Sequence, residues 1–406
     1  MKKQHKTLLL SLLFIIPCTV LGQKTNIRQE LSQARSFIKS GKDFDKAERL
    51  MTDLLAKDSA ARQNDKVLDV WYQAVYKQYE AANERLYLKQ KYDTAAFFDL
   101  TRRMYVIAEK LDTLDSRPDA KGRVSLSYRK QHAEQLDQLR PNLYYGGTHH
   151  VRKADYEVAY DFFHLYIDAV RHPLFSGYDY QTSDNRLPEA AYWATFCGYK
   201  MHDAERTLRY SREALGDKQK TQYTLLYTCE AWHWQQNDSG YVATLKDGFK
   251  RFPEHTYFFP HLEDYFTQHQ QLDSALLYAD RALQQNPRGE LFLLAKATTL
   301  LSMEKYDECI RTGQQLIQVN DSMPEPYLMV ATAYLNQALA LEKLNGSRES
   351  RMNIRRLYMS ARPYMENYRR LAPEEKAKWA PSLYRIYFNL NMGPQFEEID
   401  KLMRSM

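Results

Sequence analysis

Small, aromatic and proline residues recur along this chain at helical spacing and with one longer period. In the segment QLDSALLYADRALQQNP, Ala275 and Ala282 lie seven residues apart, two turns down one helix face, and Pro287 follows as a stop. Tyr241 stands 34 residues before Ala275 and Cys309 stands 34 after it; Pro253 precedes Pro287 by the same interval. From Gln222 the frame places Leu225, Cys229 and Trp232 in a first helix, then Tyr241 and Phe249 in a second. From Thr256 it gives Leu272, Ala275, Ala279 and Ala282; from Glu290, Leu293, Ala297, Leu300, Tyr306, Cys309 and Leu316; from Pro324, Tyr327, Ala331 and Tyr334. A first helix with a small residue near its middle lets a second helix approach closely, and the second helix offers Ala or Cys to the next unit. The pattern predicts stacked helical hairpins. Glu263 falls at the small position shared by Cys229 and Ala297, so its hairpin is expected to be locally distorted.

Four such units are expected between Arg186 and Leu344, with three degenerate ones before them. The stretch Leu114–Gly147 is off-frame, with Pro118, Pro141 and Gly146-Gly147 reading as turns. Near the C-terminus, Asn345-Gly346-Ser347 breaks an overlong first helix, Met352–Tyr368 reads as its delayed partner, and a last pair falls around Trp379–Leu390 and Phe396–Met403. The expected limits are 23–183 for degenerate repeats, 184–344 for the best units and 345–406 for an irregular C-terminal cap.

The Ala275, Ala282, Pro287 pattern resembles the tetratricopeptide repeat family. The family's Tyr/Phe-Asp-x-Ala start of the second helix looks matched at Phe44–Ala47 and Tyr92–Ala95, and more loosely at Tyr156–Ala159 and Met201–Ala204. The resemblance implies an all-α, helical-hairpin solenoid, a right-handed superhelix, with a binding surface rather than a reaction site.

The N-terminus alters the reading of location. Lys2, Lys3 and Lys6 precede an apolar run from Leu8 to Ile16, interrupted by Ser11, then Pro17 and small residues to Gly22. That layout is a secretory signal peptide (1–22), and the run is too short for a mature span. Cys18 follows Pro17, a poor context for a lipid anchor. The basic, Leu/Ile-rich leader with Gln23 directly after the cleavage site resembles those of Bacteroidetes envelope proteins, which places the mature chain in the periplasm or at the outer-membrane periphery. Removing the leader lowers the formal charge from +6 by three lysines, 6 − 3 = +3, so nucleic acid is not an expected partner. Cys197, Cys229 and Cys309 remain, an odd set too scattered for a disulfide framework, with Cys229 and Cys309 reading as core thiols.

First helices line the concave face of such a stack. Their unpacked positions hold Trp193 and Phe196, then Tyr223, Glu230, His233 and Trp234, then Tyr257, Asp264 and Gln268. Leu294, Thr298, Leu328 and Asn336 continue the series without aromatic rings. These residues are the candidate partner-binding set, since aromatic rings supply contact area at low entropic cost. Family members that clasp a peptide's terminal carboxylate use Lys, Arg and Asn along this groove; only Arg186 offers a charge here. Catalytic motifs are missing: there is no HExxH, phosphate loop or nucleophile elbow. His149-His150 is expected in a loop, and His255, His261 and His269 are not expected on one helical face. No metal, cofactor or enzymatic activity is therefore expected. The leading expectation is a non-catalytic protein-binding scaffold of the cell envelope, holding a partner in the groove. The alternative is a glycan-binding accessory of an outer-membrane uptake system, which needs two or three coplanar, exposed rings among Trp193, Tyr223, Trp234 and Tyr257.

Overall fold

The computed structural model describes residues 26–343 and 348–406. The leader and the Asn345-Gly346-Ser347 break lie outside them. Every regular element among the described residues is helical, as expected, and the chain forms two compact units that divide between Trp193 and Ala194.

The first unit holds three hairpins: α1 (Ile27–Ser40) with α2 (Phe44–Lys57), α3 (Asp65–Tyr87) with α4 (Thr94–Asp115), and α5 (Arg129–Arg152) with α6 (Tyr156–Asp168). Glu48 ties the first two together, accepting hydrogen bonds from Trp71 and Gln78 of α3 and pairing with Arg103 of α4. A short helix α7 (Tyr180–Ser183) follows α6, and its segment is held on α5 by Arg140. That guanidinium lies 3.8 Å from the Tyr166 ring centre and 4.1 Å from that of Tyr180, and donates to Asp184 at 2.6 Å. The last helix here, α8 (Leu187–Lys200), crosses the division.

Two expectations fail in this unit. Pro141 and Gly146-Gly147 are not turns: α5 runs through them, and His149-His150 are helical rather than in a loop. The glycines serve helix contact instead. A Cβ on Gly146 would lie 2.6 Å from the Phe162 ring, and one on Gly147 would lie 2.6 Å from the Phe163 ring. The Tyr92–Ala95 match is also out of register, because three extra loop residues after the left-handed Lys89 make Phe97, rather than Ala95, the first buried residue of α4. Ala47 and Ala159 are fully buried where the motif expects them.

The second unit continues with α9 (Ala204–Arg209), α10 (Ser211–Ala214), α11 (Thr221–Trp234), α12 (Asp238–Arg251), α13 (Phe258–Gln268) and α14 (Leu272–Gln285). Then come α15 (Glu290–Ser302), α16 (Tyr306–Val319), α17 (Glu325–Lys343), α18 (Arg348–Leu371), α19 (Lys376–Leu390) and α20 (Gly393–Arg404). The overlong α17, the delayed α18 and the closing pair fall where the pattern predicts them.

The period is visible in the backbone itself. His202, Gln236, Gln270 and Glu304, each 34 residues from the next, have φ of 55–58°. In each turn the following N–H reaches the carbonyl five residues back: Asp203 to Gly198 at 3.0 Å, Asn237 to Trp232 at 3.0 Å, Gln271 to Phe266 at 2.7 Å, and Lys305 to Leu300 at 2.9 Å. This is the Schellman closure, which satisfies carbonyls that would otherwise be orphaned at the helix end. Five residues after each left-handed position comes a buried contact: Thr207, Tyr241, Ala275 and Cys309. Close approach is again marked by glycine. A Cβ on Gly198 would sit 2.4 Å from the Thr207 backbone nitrogen.

The Glu263 hairpin is altered, but at the Pro260 end of its first helix rather than at Glu263: α11, α13 and α15 end 34 residues apart, at Trp234, Gln268 and Ser302. Its first helix α13 has 11 residues against 14 in α11 and 13 in α15. Pro260, in its first turn, has no N–H to carry the helical ladder back to Thr256. Glu263 stays half-buried, accepts a hydrogen bond from Thr267 at 3.1 Å, and has its pKa raised by burial. The three cysteines among the described residues are buried and free; burial pushes Cys197 up to about 12 and Cys309 up to about 11.

Two measurements test this account. Gln270→Gly removes the Cβ penalty of the left-handed turn and should raise stability by about 0.5–1 kcal/mol in urea unfolding; an unchanged or lower midpoint would contradict the turn argument. Glu109, on α4, has one carboxyl oxygen buried without a partner, and burial together with nearby Asp168 raises its pKa from 4.5 to about 7. The fold therefore favours its protonated form, and that stability is lost as pH rises from 4.5 through about 7. Glu109→Gln should flatten this slope, exceeding the parent by about 1–2 kcal/mol at high pH and matching it in acid.

Candidate functional site

The α11–α12 and α13–α14 hairpins enclose a cleft of about 380 Å³. Its lining is Glu230 and His233 from α11, Asp238 and Tyr241 from α12, and Tyr257, His261, Asp264, Tyr265, Gln268 and His269 from α13 and its ends. Five of the nine candidates thus come together: Glu230, His233, Tyr257, Asp264 and Gln268. Trp193, Phe196, Tyr223 and Trp234 are not part of this lining.

The α13 residues form a ladder. Tyr257, His261, Tyr265 and His269 are spaced four apart, so they follow one another up a single helical face. His261 stacks on Tyr257 with ring centres 4.0 Å apart, and His269 stacks on Tyr265 at the same distance. His261 and His269 therefore share a face, since eight residues are a little over two helical turns, while His255 precedes α13 and stands apart, so the three do not share one face, as expected. Each imidazole Nδ1 lies against the carbonyl oxygen one turn back, His261 to Tyr257 at 2.6 Å and His269 to Tyr265 at 2.8 Å. A carbonyl only accepts, so Nδ1 carries a proton in both rings. The Nε2 of His269 lies 3.7 Å from Asp238.

Across the cleft, the Tyr257 hydroxyl donates to Glu230 at 2.7 Å. Burial first, and then this hydrogen bond, raise the Tyr257 pKa far above the usual phenol range. Burial, with Cys229 and Glu230 close by, pushes Tyr241 up to about 12. Both phenols thus stay protonated at neutral pH. The lining holds three carboxylates and three histidines but no Lys or Arg. Its strongest polar groups are acceptors.

The other aromatic candidates are placed differently. Trp234 stacks on Tyr199 with ring centres 5.7 Å apart and meets His202 at 3.9 Å. Tyr199 in turn stacks on Tyr227 at 4.5 Å. These rings face one another in a column. Of Trp193, Tyr223, Trp234 and Tyr257, only Tyr223 is exposed, at 43%. Arg186 is engaged in the first unit, bonded to the Tyr145 hydroxyl at 3.0 Å. Asp238, Tyr241, His261, Tyr265 and His269 were missed from sequence. The four-residue spacing from Tyr257 to His269 was the available signal for three of them; Asp238 and Tyr241 sit on a second helix, which the frame assigns to packing. His150 meets Asp155 at 3.0 Å, but no group of three or more His, Cys, Asp or Glu among the described residues could hold a metal.

No family model and no curated protein matches the sequence. Solved structures of helical-repeat proteins align with it. The C-terminal part of a TPR repeat-containing protein from Cytophaga hutchinsonii has a TM-score of 0.42 and 13% identity, over 64% of this chain and 93% of that one. Yeast Tom70 gives 0.32 and 13%, over 91% and 85%. The TPR2AB domain of yeast Sti1, solved with pHSP90, gives 0.27 and 12%, over 73% and 98%. At these scores the likeness carries no weight on function, and the helical-hairpin fold rests on this chain's own backbone.

The Tyr257–Glu230 bond is directly testable. Tyr257→Phe should cost about 1 kcal/mol of stability, and a double-mutant cycle with Glu230→Ala, which removes the acceptor, should return a coupling of similar size. A coupling near zero would mean that the bond does not tie the two hairpins together.

Proposed function

We propose that the chain is a non-catalytic scaffold that holds a basic segment of a protein partner in the α11–α13 cleft. The observation that carries this reading is the lining: carboxylates, imidazoles and tyrosine rings without a single Lys or Arg. Such a surface favours ammonium or guanidinium groups, which pair with carboxylates and pack on aromatic faces. Asp264 and Gln268 are exposed and reach the partner first; Glu230 is held in place by Tyr257. The hairpin fold supports a binding role, since stacked repeats present extended side-chain surfaces. The leader supports placement in a bacterial envelope, in the periplasm or at the outer-membrane periphery. Among the described residues, no helix is long and apolar enough to cross a membrane. The ring geometry lends the glycan alternative no support, because the tryptophan and tyrosine faces outside the cleft are largely spent on one another.

The test is a crosslinked affinity capture from envelope extract, comparing the parent with Asp264→Arg, an exposed change that should leave the fold intact. The parent is expected to retain a partner through a Lys/Arg-rich segment, with retention falling as salt rises, and Asp264→Arg is expected to lose it. A partner held equally by both, or none held by the parent, would overturn the reading.

A further inference from the structure

We propose that the first unit carries a second, chemically opposite site, which binds a free amphipathic acid: an aliphatic chain ending in a carboxylate. The site is a cleft of about 540 Å³ between the C-terminal half of α2, the start of α3 and the last turns of α4. That size lies in the range of small-ligand clefts. Its floor is apolar, built from Leu55, Leu68, Trp71 and Leu114. Trp71 turns its indole N–H to Glu48 at 3.4 Å, so what it offers the cleft is ring surface.

The rim is cationic. Arg62, Lys110 and Arg117 border the cleft, and no Asp or Glu does. Two of these cations are fixed in advance. Arg62 donates through Nε to the Leu55 carbonyl at 2.7 Å and through Nη2 to that of Ala56 at 3.0 Å; Arg117 is bonded through Nη1 to Gln63. Each guanidinium keeps further N–H groups available, and neither must be ordered when a ligand arrives. Lys110 is exposed on α4 and can close over a bound headgroup.

An apolar floor under three cations selects an anion with a hydrocarbon tail. A cationic amphiphile is repelled at the rim, and a small hydrophilic anion leaves the floor wet. The commitment is to the free acid as monomer, not to a membrane surface and not to a peptide terminus.

The experiment is calorimetric titration of the whole chain with laurate below its micellar concentration, followed in parallel by tryptophan emission. Saturable one-to-one binding is expected, and Trp71→Phe should remove the emission change while binding persists. Dodecyltrimethylammonium and dodecanol should bind at least about tenfold more weakly, the scale of one or two lost charge-assisted contacts. Lys110→Glu with Arg117→Glu should weaken laurate by a similar factor. Ala56→Trp, which fills the cleft without touching its charge, should abolish binding, with circular dichroism confirming that each variant is folded. Several outcomes would overturn the proposal: no laurate binding, equal binding of the cationic amphiphile, or indifference to both the charge pair and the filled cleft. So would association with anionic vesicles, or with a hydrophobic peptide's C-terminus, where monomeric laurate does not bind.

Discussion

The second unit depends on one backbone constraint, repeated in the turns α8–α9, α11–α12, α13–α14 and α15–α16. Between the two helices of a hairpin a single residue adopts a left-handed conformation, and the next N–H closes on the carbonyl five residues back. His202, Gln236, Gln270 and Glu304 fill that position without glycine. An L-residue there costs free energy, so the geometry persists because the surrounding helix contacts demand it. Once the turn is set, the fifth residue beyond it must face the partner helix, and Thr207, Tyr241, Ala275 and Cys309 are all buried there. Helix contact and turn are two views of one requirement.

The same requirement builds the cleft. With the turn fixed at Gln270, α13 presents one face to its own partner and another to the preceding hairpin. The face toward the cleft carries Tyr257, His261, Tyr265 and His269 in successive turns. Stacking of each histidine on the tyrosine before it holds the rings, and bonds to backbone carbonyls fix the imidazole tautomer. The acceptor character of the cleft comes from Glu230, Asp238 and Asp264, which line it without a Lys or Arg. The cleft in the first unit follows another logic: Arg62 is drawn to the carbonyls that end α2, while Lys110 stands on α4 and Arg117 just beyond its end, bonded to Gln63. Positive groups thus come to rim an apolar hollow.

Much of the fold was legible from one dimension. The spacing of Tyr241, Ala275 and Cys309, and of Pro253 and Pro287, is enough to place hairpins, because each position answers a local packing need that repeats unchanged. The distortion expected at Glu263 did not follow: α13 is shortened at its Pro260 end, and Glu263 keeps the in-frame position, half-buried and bonded to Thr267. Gly146-Gly147 misled because glycine serves both turns and close contacts. Only the rings of Phe162 and Phe163, from another helix, decide which role applies.

For the candidate site the division is sharper. The sequence by itself placed nine first-helix residues along one groove, and five of them, Glu230, His233, Tyr257, Asp264 and Gln268, come together in the cleft. Only the tertiary structure decided that Asp238 and Tyr241 join them from a second helix, and that Trp234 is spent on Tyr199 and His202 instead. The physical reason lies in the range of the forces. Helical periodicity and turn chemistry act over a few residues and leave a mark in sequence. The pairing of a phenol with a carboxylate 27 positions away, or of one ring with another across a hairpin, depends on how helices settle against each other, and no local pattern encodes it.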